Sequence, residues 1–194
     1  YDPAYLVDNS DSRISPKVRA AWQATPDIEL FAQWAQGFKA PSAQQLYENF
    51  ANAGQYARIG NPDLKPETSN GFEIGANYAS GDLTGSLTLF HNKYKNFIEQ
   101  YTTSTTLFPG FGGRGNGSLF TYRNRNNVEI SGVEAKVRKE LANGFFAHAS
   151  LAYAYGKDTD SNEYIRTVAP FKTVLGVGYA QETWGTDCTG IFSS

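Results

Sequence analysis

Apolar and polar residues alternate one by one along most of this chain, and that two-residue period restricts it to β-structure. The alternation begins in KVRAAWQAT (17–25) and continues through five further segments: IELFAQWAQGF (28–38), FEIGANYA (72–79), LTGSLTLFHN (83–92), FFAHASLAYAYG (145–156) and FKTVLGVGYA (171–180). No apolar run approaches the ~18 residues that a membrane-spanning helix needs. With the strand expected near residues 120–141, the pattern predicts an all-β protein of about seven strands and an incomplete one from Trp184.

The expected connections between these strands alternate strictly in length. Short connections are predicted at 26–27, 81–82, 142–144 and 181–183, and long ones at 39–66, 101–119 and 157–168. In an antiparallel sheet successive connections lie at opposite ends, so all long loops share one end. Tight periplasmic turns and long extracellular loops are typical of outer-membrane barrels, whereas a soluble sandwich has no reason for this asymmetry.

The faces opposite the apolar ones carry charges in mid-strand, at Lys17, Arg19, Glu134, Lys136 and Arg138. Such charges are costly in a dry core and ordinary beside a water-filled lumen. Aromatic residues that we expect to form interfacial girdles gather near strand ends: Trp34, Phe38, Tyr94, Phe97, Tyr153, Tyr155 and Trp184. The sequence therefore predicts an antiparallel transmembrane β-barrel segment. A soluble or surface β-domain acting as an interaction or adhesion module stays an alternative, because alternation is common to both.

Composition and motifs argue against several other classes of function. A net charge of −2 with 19% charged residues offers no basic face for nucleic acid. The single cysteine, Cys188, excludes an internal disulfide framework, and no spacing supports a zinc site or a nucleophile elbow. The GFGGRG segment (110–115) matches a dinucleotide fingerprint, but a strand-like sequence follows it instead of a helix. We therefore expect no enzyme activity.

Three local features can be predicted from strand parity. The first half of FTYRNRNNVEISGVEAKVRKEL (120–141) is out of phase with its second half, which predicts a β-bulge near Gly132. His91 shares parity with Leu87 and Leu89 and should face lipid. His148 should face the lumen near the periplasmic end.

The long connection after the second strand begins and ends with a proline box, FKAP (38–41) and NPDL (61–64). Proline fixes φ and biases the residue before it towards extended conformations. The boxes should therefore set the directions in which this loop leaves and rejoins the sheet. The predicted loop-framing residues are Phe38, Pro41, Asn61, Pro62 and Leu64.

The segments GFKAPSAQQLY (37–47) and GNPDLKPETSNGFEIG (60–75) resemble the TonB-dependent outer-membrane receptors, and LTLFHNKYKNFIE, YRNRNNVEISGVEAKV and LAYAYGKDTD look like successive barrel strands of that family. The resemblance implies a 22-stranded barrel closed by a plug, embedded in outer-membrane lipid. It also implies energy from the TonB–ExbB–ExbD complex, delivered through the plug. Residues 1–194 are then expected to be part of the barrel's second half, without the plug and the final strands.

Within that family, FKAP and NPDL resemble the FRAP and NPNL boxes of haem and haemoglobin receptors. This implies haem as the transported ligand, with haemoglobin as a candidate source and no intrinsic cofactor. A ferric siderophore is the alternative ligand, because siderophore receptors have similar proline boxes.

The histidine often found between the two boxes is absent here, so the expected haem ligands are tyrosines. Tyr56 is the predicted ligand of the iron, since tyrosinate is a hard donor suited to Fe(III). Tyr47 is a second candidate contact, in a stretch that the family shares. Arg58 and Lys39 are the expected partners of the propionates.

Overall fold

The computed structural model describes residues 13–52, 56–104, 118–165, 168 and 171–193. Its elements are β1 (Lys17–Thr25), β2 (Ile28–Lys39), α1 (Ala43–Tyr47), β3 (Asn49–Asn52), β4 (Tyr56–Ile59), β5 (Glu67–Ser80), β6 (Leu83–Ser104), β7 (Ser118–Glu140), a 3-10 turn (Ala142–Gly144), β8 (Phe145–Asp158), β9 (Phe171–Ala180) and β10 (Gly185–Ser193). Eight strands neighbour one another in the order β1-β2-β5-β6-β7-β8-β9-β10, each pair antiparallel. The predicted all-β antiparallel architecture is confirmed. In the described part of the chain, no helix has the length and apolar character to cross a membrane.

The connections are arranged as the sequence predicts. Short turns join β1 to β2, β5 to β6, β7 to β8 and β9 to β10 at one end of the sheet. Asn143 and Gly144 have φ of 61° and 83°, the left-handed conformation that an Asn-Gly turn provides. β6 and β7 are 22 and 23 residues long in total, and their extra length lies at the opposite end of the sheet. A spanning strand needs ~9–11 residues, so this hairpin extends far beyond a bilayer.

Strand register builds one continuous apolar face. The central row on this face consists of Leu30, Ala76, Leu87, Ala135 and Leu151, which lie side by side across five strands. The large apolar side chains of this face are exposed; Leu87 is 48% exposed and Ile74 57%. A contiguous exposed apolar surface of this kind suits contact with lipid.

Aromatic side chains border the apolar face at both edges. At the edge towards the long loops, which we call the upper edge, one row joins Trp34, Phe72, His91, Ser131 and Tyr155. The next row upward is polar and joins Gln36, Asn70, Lys93, Glu129 and Lys157. At the lower edge the Tyr179 ring lies 4.9 Å from that of Phe145 and 5.2 Å from that of Trp184.

The girdle prediction was wrong for three residues. Phe38, Tyr94 and Phe97 lie beyond the polar row, because their strands continue past the apolar band. Trp34, Tyr153, Tyr155 and Trp184 do lie within the band or at its borders.

Both histidines lie on the predicted faces. His91 belongs to the row of the apolar face that meets the polar row, and its Nδ1 lies 2.7 Å from Ser131 Oγ. His148 lies on the other face near the short-turn end, with its Nε2 3.1 Å from Asp187 Oδ2.

The predicted β-bulge near Gly132 is wrong. The β6–β7 register runs without a shift from Leu83 opposite Lys139 to Thr102 opposite Phe120, and the β7–β8 register is also continuous. The change of phase has another cause. The apolar residues of β7 that follow Ser131 in the sequence lie on the apolar face. Those that precede it lie on the opposite face, where Val128 is fully buried. The sequence pattern therefore marks where the strand leaves the apolar band.

On the face opposite the apolar one, aromatic rings cover glycines of the neighbouring strand. A Cβ on Gly75 would lie 2.6 Å from Phe31 Cζ, and one on Gly132 would lie 2.8 Å from Phe90 Cε1. Each ring and its glycine are opposite each other in register. A ring over a strand glycine pins register and fills the space that the glycine leaves.

We expect Gly132→Ala to destabilise the complete barrel by about 1–3 kcal/mol, because the new methyl group would meet the backbone oxygen of Tyr153 as well as the Phe90 ring, and the ring or the strand would have to move. Urea unfolding in detergent micelles, followed by tryptophan fluorescence, measures this. Gly85→Ala is the matched control in the same strand pair, since its Cβ would meet only Lys136 O, at 3.1 Å. Equal unfolding midpoints for the two variants would contradict the role given to the Phe90–Gly132 contact.

Candidate ligand site at the long-loop end

The connection between β2 and β5 is fastened to β7 by side-chain amides. Asn61 Nδ2 donates to Tyr122 O at 2.9 Å, and Asn61 Oδ1 accepts from Asp63 N at 3.0 Å. Asn124 Oδ1 accepts from Lys65 N at 2.8 Å, and its Nδ2 donates to Lys65 O at 3.0 Å. The NPDL box is thereby held in one position on the β6–β7 hairpin.

A small apolar core supports the same attachment. Leu46, Leu64 and Ile98 are 3%, 6% and 7% exposed, and Tyr122 packs against them. Leu46 comes from α1, which a reciprocal capping box between Ser42 and Gln45 begins. Of the remaining loop-framing residues, Pro41 is buried, Phe38 is half-buried and Pro62 is exposed.

The chain closes on itself just before the second proline box. Gly60 N donates to Glu48 O at 2.6 Å, and a Cβ on Gly60 would lie 2.6 Å from both Leu46 C and Tyr47 N. Only glycine permits this approach of two backbones. Tyr47 ends α1 beside this closure, with 39% of its surface exposed.

The closure presents a hairpin of β3 and β4 that carries the predicted iron ligand. β4 also pairs in parallel with the start of β7, placing Tyr56 opposite Ser118 and Arg58 opposite Phe120. The Tyr56 ring centroid lies 5.8 Å from that of Phe50 and 6.2 Å from that of Phe120. We call Phe50, Tyr56 and Phe120 the aromatic platform. Its two phenylalanines were not predicted, because strand pairing alone brings them to Tyr56.

One cation lies directly at the aromatic platform. Arg58 Cζ is 5.4 Å from the centroid of the Tyr56 ring, a cation–π distance. Arg58 Nη1 lies 3.9 Å from Glu48 Oε1. Among the described residues, Arg58 Nε and Glu48 Oε2 are buried and have no hydrogen-bond partner. The structure therefore places Tyr56 and Arg58 side by side.

Lys39 lies elsewhere. It pairs with Glu67 at the foot of the connection, next to the level where Thr68 pairs with Lys95. Arg58 lies level with Phe120, which pairs with Thr102 much farther along β6. The strand between these two levels is roughly 20 Å long at ~3.4 Å per residue, so Lys39 is not part of the aromatic platform.

A second charged cluster joins the β6–β7 hairpin to the end of β8 and to the segment that follows it. Arg125, whose side chain is 11% exposed, donates to Glu99 Oε2 and to Asp158 Oδ2, each at 2.6 Å, and lies 3.3 Å from Glu163. Arg123 donates to Glu99 at 3.1 Å. A cavity of about 630 Å³ adjoins this cluster, lined by Glu99, Gln100, Tyr101, Thr102, Arg123, Arg125, Glu163 and Tyr164.

These contacts shift the titration of the charged groups. The hydrogen bond to Glu99 raises the pKa of Arg125 above its ordinary value, although burial opposes it. Burial alone would raise the pKa of Asp158. Hydrogen bonds from Arg125 and from the backbone N–H groups of Ser161 and Asp160 outweigh burial, so this pKa lies below its ordinary value.

The Asp158 shift predicts a loss of order in acid. Because the folded pKa is below the unfolded value of ~3.9, the carboxylate stabilises the fold above about pH 4 and this stabilisation is lost as the pH falls through the folded pKa. Hydrogen exchange of residues 157–163 in the complete barrel should therefore accelerate, relative to the β5–β6 hairpin, between pH 5 and pH 3. Asp158→Asn should show fast exchange already at pH 5 and little further change. An identical acid response in this variant would contradict the assignment to Asp158.

Comparison with known proteins supports the family. Residues 2–193 match the family described as TonB dependent receptor-like, beta-barrel. The heme/hemopexin utilization protein C of Haemophilus influenzae is 30% identical over an alignment of 198 positions, gaps included, that covers 90% of this chain and 27% of that protein. The ferric enterobactin receptor of Pseudomonas aeruginosa is 29% identical over 174 residues, covering 82% and 23%. The chain thus spans about a quarter of the length of these relatives.

Solved structures agree with the fold. A variant of the Pseudomonas aeruginosa ferric enterobactin receptor in complex with enterobactin has a TM-score of 0.64 and 26% identity, over 90% of this chain and 27% of that one. The copper transporter OprC has a TM-score of 0.69 at 20% identity, over 90% and 25%. The family match, the antiparallel sheet and its banded apolar face agree: this chain belongs to the TonB-dependent receptor β-barrel family of the bacterial outer membrane.

Proposed function

We propose that this chain is a segment of the second half of a receptor barrel that binds haem at its extracellular end and imports it. TonB–ExbB–ExbD supplies the energy through a plug domain outside residues 1–194. The observation that carries the proposal is the aromatic platform, where two rings and the Arg58 guanidinium of the fastened loop meet the Phe120 ring of β7. Relatives whose names include heme or hemoglobin, at 30% and 27% identity, support haem as the ligand.

Each part of the platform has a role that suits ferric haem. The Phe50 ring, in a residue that is 45% exposed, offers an apolar surface to the macrocycle. The Tyr56 phenol can bind the iron as tyrosinate. Arg58, close to that ring, offers a fork of N–H donors to a propionate.

Tyr47 and Lys39 take secondary roles in this proposal. Tyr47 lies in the same connection and contacts the ligand at the edge of the site. Lys39 lies roughly 20 Å along the strand from the aromatic platform, so any contact that it makes with a propionate is away from the Tyr56 site.

A hemin titration of the complete receptor in detergent, followed by absorption, tests the proposal. Wild type should give a saturable Soret band, and Tyr56→Phe should shift this band and weaken binding by about tenfold or more, as loss of metal-site contacts does. Tyr47→Phe is the matched control and should retain the spectrum. Saturable binding with an unchanged spectrum in Tyr56→Phe would keep haem as ligand and remove Tyr56. No saturable binding in wild type would refute haem.

A ferric siderophore is the second candidate. It is supported by the 26% identical enterobactin complex and by the cavity beside Arg123, which stacks 4.5 Å from the Tyr101 ring. A cation and tyrosines suit an anionic aromatic iron chelate. Quenching of tryptophan fluorescence by ferric enterobactin, abolished by Arg123→Gln and not by Tyr56→Phe, would favour this ligand over haem.

A further inference from the structure

Two polar atoms beside the aromatic platform have no hydrogen-bond partner among the described residues. They are Arg58 Nε and Glu48 Oε2, and both are buried. A buried polar atom without a partner is uncommon in proteins and usually has a structural or functional cause. The same two residues face each other, so the unpaired donor and the unpaired acceptor belong to one incomplete ion pair.

The Arg58–Glu48 ion pair is longer than the other arginine–carboxylate pairs among the described residues. Its shortest distance is 3.9 Å, beyond hydrogen-bond reach, whereas Arg125–Glu99 and Arg138–Glu140 are both 2.6 Å. The backbone brings the two residues close to each other, since Glu48 lies beside Asn49 and Asn49 pairs with Ile59, the neighbour of Arg58. The guanidinium instead lies over the Tyr56 ring.

The Glu48 carboxylate is fixed by groups other than Arg58. Gln44 Nε2 donates to Glu48 Oε1 at 3.2 Å, and the Glu48 backbone oxygen accepts from Gly60 N at 2.6 Å. The Glu48 side chain is 14% exposed and that of Arg58 is 37% exposed. Arg58 is therefore the more exposed partner of the pair, and because its Nε is buried, a ligand meets the guanidinium on its Nη side.

We propose that Glu48 competes with the carboxylate of a planar aromatic ligand for Arg58, and so sets the selectivity of the platform for ligands that carry carboxylates. In the empty site Glu48 holds the guanidinium loosely beside the Tyr56 ring. A ligand carboxylate accepts from the two Nη groups together, in a bidentate geometry that Glu48 does not achieve. Glu48 is a positioning residue, since it acts on the ligand only through Arg58. This inference rests on the proposed haem function, because porphyrin propionates are the carboxylates in question.

Hemin and hemin dimethyl ester separate this role from a structural one, because only hemin has free carboxylates. Glu48→Gln keeps the Gln44 hydrogen bond and removes the competing charge. In the complete receptor in detergent it should strengthen hemin binding about two- to fivefold, the range of a partly exposed ion pair, and leave the ester unchanged. Arg58→Gln should weaken hemin binding about tenfold, with a much smaller effect on the ester. In the Arg58→Gln background, Glu48→Gln should give no gain.

Glu140→Gln, an exposed pair partner far from the platform, is the matched control and should change neither ligand. Saturable hemin binding with no gain in Glu48→Gln, or an equal gain for the ester, overturns this inference and leaves the haem function standing. No saturable hemin binding in wild type overturns the haem function and this inference together. If Glu48→Gln fails to fold, Arg58→Lys decides, because lysine keeps the charge without the fork. Weaker binding of hemin alone supports bidentate capture. An equal change in affinity for hemin and for its ester refutes it.

Discussion

Replacing Arg125 with methionine should release the segment 157–163 from the β6–β7 hairpin and destabilise the long-loop end of the sheet by about 3–5 kcal/mol. The Arg125 guanidinium is the group that joins Glu99, Asp158 and Glu163. The Glu99 and Asp158 side chains are 9% and 8% exposed, so neither carboxylate can exchange its lost partner for bulk water. Removing one member of a buried ion pair costs far more than the net contribution of the intact pair.

The measurement is hydrogen exchange of the complete receptor, resolved by segment, together with urea unfolding. Arg125→Met should accelerate exchange in residues 157–163 and at the end of β6, while the β5–β6 turn keeps its rate. Lys93→Met is the matched control: its Nζ lies 3.0 Å from Glu129 Oε1, but its side chain is 61% exposed. It should leave unfolding unchanged within the precision of the measurement, as exposed pairs usually do. Equal effects of the two variants would show that the Arg125 cluster is no more than a surface ion pair.

The β6–β7 hairpin is the element to which both described loop segments attach. The 40–66 connection is fastened to it through Asn61 and Asn124, and the 157–163 segment through Arg125. A binding site gains precision when its residues are held by rigid elements. The aromatic platform uses the same support, since β4 pairs with β7 and Phe120 belongs to β7. Loss of the hairpin's anchors should therefore reach the ligand site as well.

Strand parity predicted the two faces correctly because each side of a barrel wall has a single environment over the width of the membrane. Leu87 and His91 share one face, and His148 lies on the other, as their positions in the sequence indicate. Strand parity gave a wrong prediction at Gly132, where the surroundings of the strand change but its backbone register does not. A change of hydrophobic phase in a strand that outruns the bilayer should be interpreted as a membrane border before a bulge is proposed.

The contacts of the ligand site were less accessible to sequence reasoning. SAQQ at 42–45 is a capping-box pattern, so α1 could have been predicted. The contacts of Tyr56 with Phe120 and of Arg125 with Asp158 join residues far apart in sequence. Such contacts depend on register and on the parallel pairing of β4 with β7, neither of which a residue pattern specifies. The tyrosine and arginine could be nominated from the sequence, whereas Glu48 and the phenylalanines required the fold.

Arginine in place of Leu87 should destabilise the inserted barrel by about 2–4 kcal/mol, the cost of a cation at the bilayer midplane. Leu87 lies in the central row of the apolar face, between Ala76 and Ala135, and is 48% exposed in the sheet. Its exposed surface is where lipid chains would contact the barrel, so a guanidinium there has neither water nor a carboxylate partner. Unfolding of the complete barrel in phospholipid vesicles by urea, followed by tryptophan fluorescence, gives the free energy directly.

Thr88→Arg, one residue away, places the same charge on the opposite face. There Thr88 lies opposite Glu134 and Gly75. A guanidinium beside that carboxylate and the aqueous lumen should cost much less than one at Leu87. The difference between the two adjacent variants depends on which face meets lipid, since both replace one uncharged residue in the same strand. Equal destabilisation would contradict a lipid-facing row at Leu87, and a larger effect at Thr88 would reverse the assignment of the faces.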